Sequence, residues 1–144
     1  DGIRDDLEGL VGSEMCIRDR LWDAHSIASI VPRLFDGELP ELNLGTNSGQ
    51  SCAPRVAKAV ERVARQSPYS TVSNGRFRGG YITRHYGQPD AACYAIQMEL
   101  SQRCYMDESS LRYDPKRAAA LGETLRRLLH TFVEAAAAIS RSDA

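Results

Sequence analysis

Apolar and polar residues alternate along Ala95–Leu100, as they do in a strand with one buried face. Its apolar side holds Ile96, Met98 and Leu100, and its polar side holds Gln97 and Glu99. Leu21–Ser26 reads as the end of another strand that runs into a loop, and Tyr69–Val72 reads as a short strand. The pattern therefore predicts strands in both halves of the chain.

Apolar residues spaced three or four positions apart predict two helices. The first covers Ala53–Gln66, with Ser51 as its expected cap and Pro54 in its first turn. The second runs from Asp114, its expected cap, to about residue 140. The expected buried stripes are Val56, Val60 and Val63 in the first helix, and Leu121, Leu125, Leu128, Phe132 and Val133 in the second. This order of strands and helices predicts an α/β domain.

Two stretches are predicted to be loops. Residues 35–50 contain an Asp-Gly pair, two further glycines and a proline. Residues 74–87, NGRFRGGYITRHYG, hold three arginines, one histidine and four glycines and are predicted to form a long loop or a hairpin. Guanidinium groups bind carboxylates with two parallel hydrogen bonds, and glycine lets a backbone approach a ligand closely. The segment therefore suits a pocket for a small anion, a solvated basic loop or an Arg-Gly type of nucleic-acid loop.

Composition narrows these choices. The 144 residues carry a formal net charge of −1 and are expected to form one domain. A near-zero charge argues against nucleic acid or an anionic membrane as partner, because both attract a broad basic field. No apolar run approaches the roughly 20 residues of a membrane span. The four cysteines show no Cys-x-x-Cys spacing, so we expect a cytoplasmic protein with free thiols.

Residues 1–20 show neither helical nor strand periodicity. Their end, GLVGSEMCIRDR, resembles a translated sequencing-adaptor read-through. We expect residues 1–20 to be a non-native segment and residues 21–144 to be the domain proper, with a genuine N-terminal arm as the alternative.

Asp23 and His25 are the first chemical candidates. Residues two apart in a strand point the same way, so both side chains are expected on one face at the strand's C-terminal end. The histidine could bind zinc while the carboxylate orients it, or the pair could be an unrelated surface histidine and aspartate. Glu99 lies in a stretch expected to be buried. It is either a structural ion-pair partner or a catalytic carboxylate with a raised pKa.

Three stretches in this order resemble the N-formylglutamate amidohydrolase (N-formylglutamate deformylase) family: LWDAHSIASIVPRLFDGELPELNLGTN, NGRFRGGYITRHYG and AIQMELSQRCYMDE. The likeness covers most of residues 21–135. It implies part of a hydrolase domain like those of zinc carboxypeptidases and aspartoacylase, with a mixed sheet flanked by helices and its N-terminal part missing. It also implies hydrolysis of N-formyl-L-glutamate to formate and L-glutamate, the last step of one histidine-degradation route.

The resemblance gives the candidates roles. His25 would be the last zinc ligand, supported by Asp23, and Glu99 would act on a zinc-bound water. Two of Arg76, Arg78 and Arg84 would bind the carboxylates of a small dianionic substrate, while Asn74 or His85 would hold the substrate or the oxyanion.

The family's earlier zinc ligands, a histidine and an acidic residue, have no counterpart in these 144 residues. We therefore expect an incomplete, inactive fragment when the chain is tested alone. Two alternatives are a zinc amidohydrolase for another N-acyl amino acid and a non-catalytic module that binds acidic ligands or RNA. The sequence leaves the oligomeric state open.

Overall fold

A computed structural model describes residues 20–142 of the protein, with side chains for residues 20–139. The strands are β1 (Arg20–Ile27), β2 (Leu42–Gly45), β3 (Thr71–Ser73), β4 (Tyr94–Ser101), β5 (Met106–Asp107) and β6 (Arg112–Tyr113). The helices are α1 (Pro54–Arg65), α2 (Tyr81–Tyr86) and α3 (Pro115–Ser142). The expected boundary after residue 20 falls one residue inside β1, and residues 1–19 lie outside the described part.

Four strands form one mixed sheet in the order β1-β4-β2-β3. β1 runs parallel to β4 and β2 runs parallel to β3, while β2 and β4 are antiparallel. β5 and β6 form a separate two-stranded ribbon. The mixed sheet confirms the α/β expectation. β4 lies between β1 and β2, and its residues 97–100 pair with both neighbouring strands.

The alternation predicted for β4 is confirmed, and the sheet has one apolar and one polar face. Helices α1 and α3 pack against each other over the apolar face, where Trp22 of β1 meets Phe132 of α3 at a ring-centroid distance of 5.8 Å. Buried residues of this core include Leu42, Leu44, Val56, Val60, Ile96, Met98, Leu121, Leu128 and Phe132. The core therefore lies on the side of the sheet opposite Gln97 and Glu99.

Both predicted long helices are present, but their details differ. Asp114 caps α3 as predicted, because its Oδ1 accepts the backbone N–H of Lys116 over 3.0 Å. The expected cap of α1 is wrong: Ser51 instead donates its hydroxyl to the carbonyl of Ala95 over 2.9 Å, since it is buried against β4. Val133 is also wrong as a core residue, because it is 49% exposed.

Four elements were missed: β2, α2 and the two short strands of the ribbon, β5 and β6. β2 lies inside the predicted loop of residues 35–50, and all four of its residues are buried. Its Leu-Asn-Leu alternation covers only three residues, too few to be distinctive, and nearby Gly37, Pro40 and Gly49 favour a loop assignment. Helix α2 lies inside the predicted loop of residues 74–87 and buries only Thr83, so it has no apolar stripe to reveal it. β3 begins two residues later than predicted.

Among residues 20–142, no helix combines the length and the apolar composition needed to cross a membrane.

Candidate active site

Two rows of residues cross the polar face of the sheet. Strand pairing places Asp23, Gln97 and Gly45 in one row, and His25, Glu99 and Asn43 in the next. Directly paired residues project to the same side, and neighbouring strands are about 4.8 Å apart. The prediction that Asp23 and His25 share a face is confirmed. The sheet also brings Glu99 beside His25, which the sequence did not predict.

A chain of hydrogen bonds fixes the His25 ring. Oδ1 of Asp23 lies 2.7 Å from Nε2 of His25, and the hydroxyl of Thr83 donates to Oδ2 of Asp23 over 3.0 Å. Asp23 is 9% exposed and Thr83 is fully buried, whereas the His25 side chain is 47% exposed. An ionised carboxylate only accepts hydrogen bonds, so Nε2 carries the hydrogen and the Nδ1 atom of a neutral ring keeps its lone pair.

Glu99 is a buried carboxyl group. It is 6% exposed, and burial raises its pKa above the ordinary value of 4.5; nearby His25 opposes that rise and Asp23 adds to it. Among the described side chains, those of residues 20–139, no lysine or arginine forms an ion pair with Glu99. The structural ion pair considered above therefore has no partner in this part of the chain. Glu99 is instead a carboxyl group suited to holding a proton above its usual pH range.

Asn43 supports Glu99 from the neighbouring strand, a role that the sequence analysis missed. Its side-chain amide donates to the backbone carbonyl of Glu99 over 3.1 Å and to that of Pro40 over 2.7 Å, and it is 1% exposed. An asparagine between two leucines is a weak signal of a buried polar residue. The pairing of β2 with β4, which places Asn43 beside Glu99, is what identifies its role.

The arginine-containing segment lies against this polar face. The backbone N–H of Asn47 donates to the carbonyl of Arg78 over 2.6 Å, and the N–H of Gly80 donates to Oε1 of Gln97 over 2.5 Å. A Cβ atom at Gly45 would lie 2.6 Å from the carbonyl carbon of Arg78. The glycine is therefore required because the loop backbone passes directly over β2.

The three predicted substrate arginines are all exposed: Arg76, Arg78 and Arg84. Arg78 donates from Nε to the carbonyl of Gly75 over 3.4 Å, and Arg84 donates from Nη1 to the carbonyl of Gly79 over 2.8 Å. Each of these two contacts uses one of the five N–H donors of its guanidinium group. Donors remain for a ligand at the surface of the docked segment.

The side chain of Asn74 forms hydrogen bonds with the backbone of the turn that follows β2. Its backbone adopts a left-handed conformation with φ of 51°, and its Oδ1 accepts the backbone N–H groups of Thr46 over 2.9 Å and of Ser48 over 3.2 Å. It therefore holds the turn that follows β2. In this arrangement the Asn74 side chain is committed to protein partners.

His85 is exposed and held by aromatic neighbours. Its ring stacks on Tyr81 at 5.1 Å and meets Tyr86 edge-on at 4.8 Å. It lines a cleft of about 510 Å³ together with residues that include Leu21 and Tyr94. Among the described residues that line this cleft, neither His25 nor Glu99 appears, so the structure does not bring His85 into the row that contains them.

The described residues do not by themselves fit a zinc ion. Zinc sites in proteins use three or four ligands, and catalytic sites keep three from the protein. In the part of the chain from residue 20 to residue 142, no group of three or more histidine, cysteine, aspartate or glutamate side chains is placed to hold a metal. His25 offers one ring nitrogen, Nδ1, and a single ligand is too few to hold a zinc ion.

Comparisons with known proteins agree with the fold and with the order of the motifs. The model of the N-formylglutamate amidohydrolase family matches residues 16–106, a span that contains all of the site residues named above. N-formylglutamate deformylase of Pseudomonas aeruginosa is 53% identical over 115 residues, which are 78% of this chain and 43% of that protein. The enzyme of the same name from Pseudomonas putida is 56% identical over 90 residues, which are 62% of this chain and 34% of that protein.

A solved structure shares the fold. The crystal structure of N-formylglutamate amidohydrolase from Ralstonia eutropha JMP134 superposes with a TM-score of 0.70 at 22% sequence identity, covering 90% of this chain and 48% of that one. This likeness confirms the expected fold class. The chain spans less than half the length of the proteins that it matches.

Proposed function

This chain belongs to the N-formylglutamate amidohydrolase family, and we propose that its polar sheet face forms part of a site that hydrolyses N-formyl-L-glutamate to formate and L-glutamate. The observation that carries the proposal is the pairing of buried Glu99 with His25 on adjacent strands. The assignment to histidine degradation rests on the family resemblance alone.

Glu99 is the proton carrier in this proposal. Its raised pKa favours taking a proton from a water molecule as the water oxygen attacks the formyl carbon. The protonated Glu99 then gives that proton to the glutamate nitrogen as the C–N bond breaks, which leaves formic acid and the free amine. Formic acid then loses its proton to the amine or to solvent water, and the products are formate and L-glutamate. One carboxyl group thus serves as base and then as acid, and no other proton carrier is needed.

The exposed arginines supply charge for the substrate. N-formyl-L-glutamate carries two carboxylates, and two of Arg76, Arg78 and Arg84 would bind them through paired hydrogen bonds. The basic segment is local on a chain of net charge −1, as expected for a small dianionic ligand rather than a polymer.

We propose zinc, or another divalent ion, only in combination with ligands from outside residues 20–142. His25 would contribute Nδ1, and Asp23 would orient its ring. Because the described residues lack a set of three ligands, the 144 residues tested alone are expected to release no formate.

The alternatives differ in measurable ways. An amidohydrolase for another N-acyl amino acid would prefer acetyl or succinyl substrates over the formyl one. A non-catalytic module that binds acidic ligands would not depend on Glu99 for any activity. A panel of formyl, acetyl and succinyl amino acids separates the first alternative from the proposal.

The decisive test uses a chimera in which the matched part of this chain replaces the corresponding 115 residues of the Pseudomonas aeruginosa relative. We expect the chimera to release formate from N-formyl-L-glutamate, and Glu99→Gln to lower kcat about 100-fold or more with binding of L-glutamate unchanged. Glu134→Gln, at an exposed position of α3, is the matched control. If the Glu99→Gln and Glu134→Gln chimeras have equal turnover, Glu99 takes no part in the reaction.

A further inference from the structure

Gln97 is a buried amide that the proposed reaction does not use. It is 6% exposed and lies two residues before Glu99 on the same face of β4. Strand pairing places it between Asp23 of β1 and Gly45 of β2. Its Oε1 accepts the backbone N–H of Gly80 over 2.5 Å. A side chain of β4 is therefore hydrogen-bonded to the backbone of the segment that carries the arginines.

The contacts of that segment explain why this bond matters. The carbonyl of Arg78 accepts the N–H of Asn47, and Gly79 takes a left-handed φ of 129° between the two contacts. Asn47 follows β2, whereas Gln97 belongs to β4, the strand that carries Glu99. Of these two backbone hydrogen bonds, only the one to Gln97 ties the segment to the strand of the proton carrier.

Gly80 also stands at the start of helix α2, which carries Thr83 and Arg84. A Cβ atom at Gly80 would lie 3.4 Å from Oε1 of Gln97, so the amide and the backbone are in close contact. A shift of Gly80 would move Arg78 on one side and Arg84 on the other. The Gln97 amide is therefore well placed to set both arginines relative to the sheet.

We propose that Gln97 is a positioning residue that holds the Arg78–Gly80 backbone against β4 and so sets the distance between the substrate arginines and Glu99. This inference rests on the proposed function, because it concerns the binding of the glutamate carboxylates. Its role is indirect, because its side-chain oxygen contacts the backbone of Gly80.

The test compares Gln97→Met with Gln97→Glu in the full 144-residue chain. Methionine has a similar length and removes the acceptor, whereas glutamate keeps an oxygen acceptor at the same reach, protonated or not. Gln66→Met, at an exposed glutamine after α1, is the matched control. Amide hydrogen exchange of Gly80, read by NMR, reports the bond itself. Calorimetric titration with L-glutamate reports both the Kd and the stoichiometry.

We expect Gln97→Met to speed exchange of the Gly80 amide and to weaken L-glutamate binding, each about tenfold, with unchanged stoichiometry. Gln97→Glu should restore both quantities toward the wild-type values. Unfolding of part of the sample would lower the stoichiometry and leave the Kd unchanged, so that pattern would overturn the positioning role. If the Gly80 amide of Gln97→Met exchanges at the wild-type rate, the positioning role is overturned as well.

Failure of the proposed function gives a different result. If the wild-type chain binds no L-glutamate, the proposed binding of the glutamate carboxylates by the arginines is wrong. The exchange rate of Gly80 then decides whether Gln97 holds this backbone.

Discussion

The hydroxyl of Thr83 donates to Oδ2 of Asp23 over 3.0 Å, and both residues are buried although they stand 60 positions apart in the sequence. The bond joins helix α2 to strand β1. Through Asp23 it extends to His25, whose ring nitrogen lies 2.7 Å from the other carboxylate oxygen. The orientation of an exposed histidine is thus determined by a buried threonine on another element.

Thr83→Val should destabilise the protein. Valine has the same shape but cannot donate, so one oxygen of a buried carboxylate loses its partner, at a cost of about 1–3 kcal/mol. Thr83→Ser keeps the hydroxyl and should retain most of the stability. Urea unfolding of the three proteins measures the difference, and equal unfolding free energies for the valine and serine variants would contradict the importance of the bond.

Glu99→Gln should change how stability depends on pH. The pKa of Glu99 is raised in the folded state, so the unfolded chain ionises first as pH rises above the ordinary value of 4.5. The folded state then binds more protons, and the free energy of unfolding falls with increasing pH until folded Glu99 ionises. The glutamine variant lacks this term and should gain stability relative to wild type from pH 4 upward. Parallel unfolding curves at pH 4, 6 and 8 would reveal the trend, and a constant difference would refute it.

Gly45→Ala should destabilise the protein because a new Cβ would stand 2.6 Å from the backbone of Arg78. Such overpacking costs about 1–3 kcal/mol. Gly122→Ala is the natural comparison, since it lies within α3 and the nearest atom to its Cβ is Nη2 of Arg126 at 3.9 Å. Alanine in a helix interior should stabilise by about 0.5–1 kcal/mol. Thermal or urea unfolding should therefore show changes of opposite sign.

The described cysteines should differ in reactivity. Burial raises the pKa of Cys52 to about 12 and that of Cys104 to about 11, whereas Cys93 is only partly buried. Because the thiolate is the reactive form, a thiol reagent at pH 8 should label Cys93 quickly and the other two only after unfolding.

A Cys16→Ser background removes the cysteine that lies outside the described residues. In that background, Cys93→Ser should abolish the fast phase. A fast phase that persists without Cys93 would show that Cys52 or Cys104 is accessible.

The elements with strong local signals could be predicted from the sequence. β4 alternates, α1 and α3 have apolar stripes, and Asp114 caps α3. The shared face of Asp23 and His25 followed from strand geometry alone. In each case the deciding interaction lies within one element, so a short window of sequence contains it.

Other features depended on partners distant in the chain. β2 is identified as a strand by pairing with β4 and β3, and Ser51 leaves its expected capping role because Ala95 lies against it. Asn74 is, with His85, a candidate for holding the substrate or the oxyanion, and its side-chain oxygen also holds the turn at Thr46. The secondary-structure propensity of a short segment does not show which backbone groups elsewhere in the chain need a hydrogen-bond partner.

The two-sided character of β4 constrains how its gene can vary. Ile96 and Met98 face the helices, while Gln97 and Glu99 face the site, so both sets depend on one residue register. Inserting or deleting a single codon within this strand would exchange the sets, sending the carboxyl group into the core and the aliphatic side chains onto the polar face. Conservative substitutions can accumulate here over evolutionary time, but a change in the length of the strand cannot.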